Sequence, residues 1–174
     1  MAARSRGRAP STARLRRIRL LVLDVDGVLT DGGLYYGPDG AEWKRFDVRD
    51  GLALARAVAA GLPIAIVSSR KSDAVARRCA ELGLTEVHQA AADKLAVYES
   101  LRARLGCRDA EVAGMGDDLA DLPLLRRVGM AIAPADAVAE VRRAADWVSR
   151  APGGRGAVRE VIEALLRARG RWPI

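Results

Sequence analysis

Two aspartates, Asp24 and Asp26, directly follow a short apolar run and are separated by one residue. In a strand, residues i and i+2 point the same way, so both carboxylates start on one side of the chain. Gly27 then lets the chain turn, so that the carboxylates meet at the carboxyl end of the strand. Carboxylates this close repel unless they share a proton, hold a metal ion or do both. The pair indicates acid–base or metal chemistry, the alternative being a polar loop after a buried strand.

The pair is positioned by the first of several apolar runs that alternate with helical patterns. The predicted strands are 18–23, 63–67, 86–88, 111–115, 129–133 and 146–148, and the predicted helices are 51–60, 72–82, 93–105, 119–127, 136–144 and 157–168. Continuous apolar runs are typical of strands that are buried on both faces. The alternation therefore predicts an α/β fold with a doubly wound parallel sheet. Asp50 is expected to cap the helix that follows it.

Polar side chains stand at the carboxyl ends of four predicted strands, where doubly wound sheets bind their ligands. They are Asp24, Asp26, Ser68, Ser69, Arg70, Asp93, Lys94, Asp117, Asp118 and Asp121. Clustered carboxylates suit Mg²⁺, whereas zinc is disfavoured because His88 is the only histidine and the two cysteines are far apart in sequence. Lys94, in the first turn of a helix, is placed to hold an anion, the alternative being a solvated surface lysine.

The acids after the fourth of these strands have more than one possible role. Either Asp117 or Asp118 is expected to cap the next helix, which leaves the other free for a metal ion. Asp121 lies on the same helix face and either orients a neighbouring group or is a plain surface acid.

The excess of positive charge lies in the N-terminal segment. The chain has 174 residues and a net charge of +7; seven arginines precede Leu20, which leaves 22 basic and 22 acidic side chains. We expect residues 1–17 to form a disordered basic tail and residues 18–174 to form a single domain. With aromatic residues at only 4%, nucleic-acid binding is disfavoured. No apolar run is long enough to span a membrane, and the two cysteines are typical of reduced thiols in a cytoplasmic protein.

Residues 33–46 have the pattern of a β-hairpin. Gly37, Pro38, Asp39 and Gly40 separate two runs that contain aromatic residues. The segment holds four of the seven aromatic residues of the chain, so we expect it to be buried against a partner subunit.

Four segments, LDVDGVLTDGG, IVSSRKS, DKL and GMGDDLADLP, resemble in order and spacing the four motifs of the haloacid dehalogenase superfamily of phosphohydrolases. The resemblance runs from about Ile18 to Glu160. More narrowly, FDVRDG, SRKS and GGRGAVRE resemble the small capless branch of that superfamily. The resemblance implies a Rossmann-like domain with a hairpin inserted after the first strand and no cap domain.

The resemblance also implies a role for each motif residue. Asp24 would be the nucleophile that forms an aspartyl-phosphate, and Asp26 would be the general acid and base. Mg²⁺ would lie between Asp24, the main-chain carbonyl of Asp26 and Asp117, with Asp118 completing the acidic shell. The residues that would hold the transferring phosphate are Ser68 and Lys94.

For the substrate, the resemblance implies an eight-carbon 2-keto sugar-acid phosphate of lipopolysaccharide biosynthesis. The residues expected to bind it are Asp26, Asp47, Val48, Arg49, Asp50, Gly51, Arg70, Arg78, Lys94 and Arg155. One alternative is a nine-carbon sialic-acid-type 9-phosphate, against which Arg70 argues because that branch often carries an acid there. Another is a non-catalytic module associated with a nucleotidyltransferase.

The sequence departs from the family's usual residues at two positions, and the resemblance also implies an oligomeric assembly. Ser69 and Ala90 stand where the family usually has glycine. Capless members close their sites by oligomerising, and the hairpin resembles one that builds a homotetramer around a central β-barrel. In such an assembly, Arg155 would reach toward a neighbouring subunit's site.

Overall fold

Eight strands and seven α-helices run through residues 10–172, the part of the chain that the computed structural model describes. The strands are β1 (Leu20–Leu23), β2 (Tyr35–Tyr36), β3 (Glu42–Trp43), β4 (Ile64–Val67), β5 (Glu86–His88), β6 (Val112–Met115), β7 (Met130–Ala133) and β8 (Trp147–Val148). The helices are α1 (Thr12–Arg17), α2 (Val48–Ala59), α3 (Asp73–Glu81), α4 (Lys94–Arg104), α5 (Leu122–Arg127), α6 (Ala139–Ala144) and α7 (Ala157–Ala168). Two short 3-10 turns cover Asp109–Glu111 and Leu119–Asp121.

Six of the strands form one sheet in the order β5-β4-β1-β6-β7-β8, and every neighbouring pair is parallel. Strand β1 lies between β4 and β6, with Leu23 in register with Ile66 on one side and Met115 on the other. All residues of β1, β4, β6 and β7 are buried, as their continuous apolar sequences indicate. The predicted doubly wound parallel α/β sheet is confirmed.

Helices cover both faces of the sheet and form a hydrophobic core on each. The side chains of β1 point alternately into the two cores. Leu21 and Leu23 pack in a cluster with side chains of α1, α2, α3 and α7, whereas Leu20 and Val22 pack with those of α4, α5 and α6. The two helix layers bury the centre of the sheet. The polar groups at its carboxyl edge are therefore attached to a rigid core. Within residues 10–172, no helix combines the length and the apolar character that a membrane span requires.

Helix α2 begins earlier than the sequence indicated, and its cap is Asp47 rather than Asp50. The Asp47 side chain accepts a backbone N–H of the first turn. Asp50 lies inside that turn, where its buried carboxylate accepts the N–H groups of Gly156 at 3.1 Å and Arg159 at 2.7 Å. The expectation that Asp50 caps its own helix is wrong because Asp50 satisfies the unpaired amides at the start of α7.

Part of the expected disordered tail is helical. Ser11 is the N-cap of α1, Leu15 is buried, and Arg14 pairs with Asp146 at 2.8 Å. The expectation is therefore wrong for residues 12–17, because a single apolar side chain and an ion pair anchor this arginine-rich segment to the body. Residues 1–9 of the predicted tail lie outside the described residues.

The expected hairpin is confirmed as the antiparallel pair β2–β3, with Tyr35 opposite Trp43 and Tyr36 opposite Glu42. Its aromatic side chains are exposed: 66% of Tyr36 and 60% of Trp43 are accessible to solvent in the single chain. Strand residues alternate between two faces, so Trp43 points outward while Glu42 and Lys44 point toward the body.

The two positions that depart from glycine differ in backbone conformation. Ala90 has φ +54°, and it is the one non-glycine residue with positive φ among residues 10–172. Its N–H donates to the Arg70 carbonyl at 3.2 Å, which ties this strained residue to the loop after β4. Ser69 is exposed and is not among the residues with positive φ, so its side chain imposes no such strain.

Replacing the strained alanine with glycine should stabilise the protein. We expect Ala90→Gly to raise the free energy of unfolding by about 0.5–1 kcal/mol, because an L side chain in the left-handed region costs more than the entropy that glycine adds. Urea unfolding followed by circular dichroism measures the change. The matched control is Ala76→Gly in the exposed middle of α3, which should instead destabilise by about 1 kcal/mol. Equal effects at the two positions would contradict the assignment of strain to Ala90.

Candidate active site

Three carboxylates converge at the carboxyl edge of the sheet. Asp24 follows β1 directly, Asp117 lies two residues beyond β6, and Asp121 ends the next 3-10 turn. One oxygen from each lies within 4.8 Å of the others. Neighbouring parallel strands deliver them to one place, as the position of β1 beside β6 requires. The predicted meeting of polar groups at this edge is confirmed for Asp24 and Asp117.

Lys94 supplies a cation inside this carboxylate cluster. Its Nζ atom lies 2.8 Å from Asp24 Oδ2 and 2.7 Å from Asp121 Oδ1, and its side chain is buried. The carboxylate of Asp93 caps α4 by accepting two backbone N–H groups, which fixes Lys94 as the first residue of that helix. Burial alone would lower the pKa of Lys94, but the charges of Asp24 and Asp121 outweigh it and raise the pKa. The lysine is therefore held in its charged form.

Asp121 is an orienting group that the sequence left ambiguous. Its buried carboxylate accepts the N–H of Asp117 at 2.9 Å and that of Asp118 at 3.2 Å through Oδ2, while Oδ1 receives Lys94. A side chain at Gly116 would collide with it, since a Cβ there would lie 2.4 Å from Asp121 Cγ. The sequence signal was the spacing of four residues from Asp117, but spacing alone did not distinguish a buried acid from a surface one.

Of the adjacent aspartates Asp117 and Asp118, Asp118 is the one that caps the following 3-10 turn. It is exposed, and its Oδ1 accepts the N–H of Leu119 at 2.7 Å. The Asp117 carboxylate is left to face the cluster, and it approaches the loop after β1 closely, since a Cβ at Gly27 would lie 2.0 Å from Asp117 Oδ2. Gly27 also has φ +79°, so this position needs glycine for both reasons.

The cluster carries more negative charge than Lys94 neutralises. Burial, followed by repulsion from Asp121, raises the pKa of Asp24 to about 6, although Lys94 opposes the shift. Burial and the charges of Asp24, Asp121 and Asp118 raise the pKa of Asp117 to about 7. An all-oxygen donor set with uncompensated charge is what Mg²⁺ requires. The residues of the cluster therefore fit a divalent cation.

Asp26 belongs to a second network that the hairpin supplies. Lys44 Nζ lies 2.5 Å from Asp26 Oδ1 and 3.1 Å from Glu42 Oε1. Arg70 pairs with Glu42 and has its Nε atom 3.8 Å from Asp26 Oδ2. Sequence reasoning missed Glu42 and Lys44 because they lie in the hairpin, away from the strand ends. Their i, i+2 spacing on a strand was the one available signal.

Ser68 lies at the end of β4, beside β1. It is buried, its N–H donates to the His88 carbonyl at 2.9 Å, and its Oγ accepts the N–H of Arg70 at 3.3 Å. These bonds fix the loop in which Ser68 and Arg70 lie. The described contacts give the Ser68 hydroxyl proton no acceptor, so it is available to an anion at this edge of the sheet.

The remaining predicted substrate residues form a group around the starts of α2 and α7. The Arg49 side chain, through its hydrogen bonds, lowers the pKa of Asp47 to about 2. Arg78 packs against Gly51, where a Cβ would lie 2.1 Å from Arg78 Nη2. Val48 is exposed at the start of α2. No ion pair or side-chain hydrogen bond found within residues 10–172 joins this group to the carboxylate cluster.

Arg155 and the glycine loop before it connect this group with the loop after β1. The Arg155 carbonyl accepts from Arg49 at 3.1 Å, and its exposed guanidinium lies 3.9 Å from Asp31. Gly153 packs against the backbone of Gly27 so closely that a Cβ would lie 1.8 Å from the Gly27 oxygen. The structure thus places Arg155 beside the loop after β1 of the same chain.

Comparisons with known proteins agree with this geometry. The sequence model of the haloacid dehalogenase-like hydrolases matches residues 81–162. The chain is 45% identical over 159 residues to the 3-deoxy-D-manno-octulosonate 8-phosphate phosphatase KdsC of Escherichia coli K12, covering 91% of this chain and 85% of that protein. The chain therefore belongs to the haloacid dehalogenase superfamily of hydrolases. The relatives of this chain within that superfamily include the KdsC phosphatases.

Two solved structures show the same fold. The 3-deoxy-D-manno-octulosonate 8-phosphate phosphatase of Yersinia pestis superposes with a TM-score of 0.89 at 41% identity, covering 92% of this chain and 86% of that one. The corresponding phosphatase of Moraxella catarrhalis, in complex with a magnesium ion, a phosphate ion and a KDO molecule, gives a TM-score of 0.87 at 38% identity, covering 90% of each chain.

The raised pKa values predict that the metal-free protein loses stability as pH rises. Between the ordinary aspartate pKa of 3.8 and the raised values of about 6 and 7, folded Asp24 and Asp117 keep protons that the unfolded chain has released. The free energy of unfolding should therefore fall by about 4 kcal/mol from about pH 5 to about pH 7.5. Mg²⁺ should raise the melting temperature more at the higher pH, where it no longer competes with protons.

Asp117→Asn isolates the contribution of one carboxylate. This variant should be more stable than wild type without metal at about pH 7.5, and its melting temperature should no longer respond to Mg²⁺. The control Asp39→Asn, in the exposed hairpin turn, should behave as wild type. A Mg²⁺ response that is equal at both pH values, or that survives Asp117→Asn, would contradict the site. Differential scanning fluorimetry provides the readout.

Proposed function

We propose that this protein hydrolyses 3-deoxy-D-manno-octulosonate 8-phosphate (KDO 8-phosphate) to 3-deoxy-D-manno-octulosonate (KDO) and inorganic phosphate in a reaction that depends on Mg²⁺. The observation that carries the proposal is the convergence of Asp24, Asp117 and Lys94 at the carboxyl edge of the sheet. The relatives that share this chain's fold over nine-tenths of its length include phosphatases named for that substrate. The free cysteines Cys79 and Cys107 suit a cytoplasmic site of action.

In the first step of the proposed reaction, an oxygen of Asp24 attacks the phosphorus atom of the substrate. The bond between phosphorus and the sugar oxygen breaks, and that oxygen takes a proton from the carboxylic acid of Asp26. The products of the step are the free sugar acid, an aspartyl-phosphate at Asp24 and the Asp26 carboxylate. Lys94, 2.8 Å from Asp24, is placed to hold a phosphoryl oxygen together with the Ser68 hydroxyl.

In the second step, water attacks the phosphorus atom of the aspartyl-phosphate. Asp26 takes the proton of that water, the bond to Asp24 breaks, and phosphate leaves. Asp24 is regenerated as a carboxylate and Asp26 as an acid, so both are ready for the next turnover.

The proposed metal ligands are Asp24, Asp117 and the main-chain carbonyl of Asp26, with Asp118 acting through water. When it is bound, Mg²⁺ supplies positive charge that lets an anionic phosphate approach an anionic nucleophile. Asp121 holds no ion in this proposal, because it already accepts Lys94 and the backbone of Asp117.

Arginines are proposed to recognise the carboxylate of the sugar acid. Arg70 lies on the loop after β4, beside Asp26, and is half exposed. Guanidinium groups bind carboxylates through two parallel hydrogen bonds, which suits a 2-keto acid. Arg78, the residues 47–51 and Arg155 would complete the sugar site, whereas buried Asp50 would act by fixing α2 against α7.

Removing the nucleophile should abolish turnover. Asp24→Asn should lower kcat by about 10⁴-fold or more, because the amide cannot form the covalent intermediate. Phosphate release from KDO 8-phosphate with Mg²⁺ measures the effect, and a chelator should have the same consequence in wild type. The control Asp39→Asn should keep full activity.

Measurable turnover by Asp24→Asn would refute the nucleophile. A panel of sugar phosphates ranked by kcat/KM tests the substrate separately. Preference for a nine-carbon sialic-acid-type 9-phosphate would replace the substrate but keep the reaction. A wild-type protein that is inert with every phosphate would point to a non-catalytic module.

We also propose that the protein works as a homotetramer assembled through the hairpin. Tyr35 and Trp43, which lie opposite each other on the outward face of the hairpin, form an exposed aromatic surface on the single chain. A surface of this kind is typical of protein–protein contacts. Because the inward side of the same hairpin contacts Asp26, assembly at this surface would also fix the site.

A charge on the hairpin should break the assembly. Wild type should scatter light as a particle of about four times 18.6 kDa, and Trp43→Lys should scatter as a smaller species, because a buried lysine without a partner is costly. The matched control is Val138→Lys, which places the same charge at an exposed apolar position outside the hairpin and should leave the tetramer intact. A fully active wild-type monomer would contradict the proposal.

A further inference from the structure

Lys44 is a buried lysine that the phosphatase mechanism has not used. Its side chain is 1% exposed, and its ammonium group is held between Asp26 and Glu42. Glu42 also pairs with Arg70, so two acids and two cations form one connected network on the inward side of the hairpin. Burying a lysine is costly unless carboxylates compensate it, and here two do.

The network distinguishes the two oxygens of the Asp26 carboxylate. Oδ1 accepts a hydrogen bond from Lys44 at 2.5 Å. Among the ion pairs and hydrogen bonds of residues 10–172, Oδ2 has Arg70 Nε as its one partner, at 3.8 Å, which is beyond hydrogen-bond length. A protonated carboxyl group can keep accepting from Lys44 through Oδ1 while it carries its proton on Oδ2. Lys44 therefore determines which oxygen of Asp26 is able to transfer a proton.

We propose that Lys44 is a positioning residue for the proton transfer that Asp26 performs. By holding Oδ1, Lys44 fixes the rotation of the carboxyl group and presents Oδ2 to the leaving oxygen of the substrate. When Asp26 gives up its proton, the neighbouring ammonium group stabilises the carboxylate that forms. This inference rests on the proposed function, in which Asp26 is the general acid.

Direct binding of substrate by Lys44 fits the structure less well. The ammonium group is enclosed by the carboxylates of Asp26 and Glu42. Lys94, by contrast, contacts Asp24, the residue to which phosphate would be transferred. The two buried lysines therefore have different roles: Lys94 faces the phosphoryl group, and Lys44 holds the proton donor Asp26.

The leaving group of the substrate reveals whether proton donation is impaired. When the bond to phosphorus breaks, a sugar alkoxide needs the proton of Asp26, whereas 4-nitrophenolate leaves without one. Lys44→Met, which keeps the length of the side chain but removes the charge, should lower kcat/KM for KDO 8-phosphate by about 100-fold. For 4-nitrophenyl phosphate, the same substitution should lower kcat/KM by less than about 3-fold.

Matched variants separate this role from general damage. Lys71→Met makes the same change at an exposed lysine and should leave both substrates unaffected. Lys44→Arg, which keeps a charged donor, should recover part of the loss with KDO 8-phosphate. Where Lys44→Met does not fold by circular dichroism, Glu42→Gln takes its place, because it weakens the hold on Lys44 and should give a smaller loss of the same kind.

The outcomes are distinguishable from failure of the proposed function. Wild-type turnover of both phosphates tests that function, and its absence would refute the phosphatase before Lys44 is considered. With an active wild type, a loss that is confined to the sugar phosphate supports the positioning role. An equal loss with both substrates, or no loss with either, would overturn it.

Discussion

The crowding of negative charge at one edge of the sheet is the constraint on which the rest of the structure depends. One carboxylate oxygen from each of Asp24, Asp117 and Asp121 lies within 4.8 Å of the others, and Lys94 alone cannot neutralise the three charges. The pKa of Asp117 rises to about 7 because burial and its acidic neighbours disfavour its charge. A site with this excess of negative charge favours the binding of a divalent cation. The added positive charge then favours the binding of an anionic phosphate, and phosphoryl transfer requires both. The charge imbalance is thus the source of the proposed activity.

The fold holds these charges in place by giving them no freedom to separate. Three neighbouring buried strands, β4, β1 and β6, bring Ser68, Asp24 and the Asp117 loop to one edge of the sheet, and Gly27 lacks the side chain that would keep Asp117 away. Lys94 stands at the start of α4, against the helix dipole, at a cost of about 0.3–1 kcal/mol. Two ion pairs offset that cost. The hairpin adds a second layer, since one strand turns Trp43 outward and places Lys44 against Asp26.

Much of the fold and the centre of the site could be predicted from the sequence, because they depend on local patterns. Apolar strands, helix punctuation and the rule for parallel sheet edges place Asp24 and Asp117 together. Contacts between distant segments could not be read in this way. Asp50 caps α7 across the fold instead of its own helix, and Lys44 reaches Asp26 from the hairpin. Leu15 anchors α1 although its sequence neighbours are arginines, since burial depends on what lies opposite in space.

The most direct test of the account is to trap the covalent intermediate on Asp24. Wild-type protein with Mg²⁺ and KDO 8-phosphate would be quenched within one turnover and reduced with borohydride, which converts an aspartyl-phosphate to homoserine. Mass spectrometry of the tryptic peptide Leu20–Lys44 then locates the modified residue. The account predicts homoserine at position 24 and at no other acid of that peptide. Turnover without modification, or modification at Asp26, would contradict it.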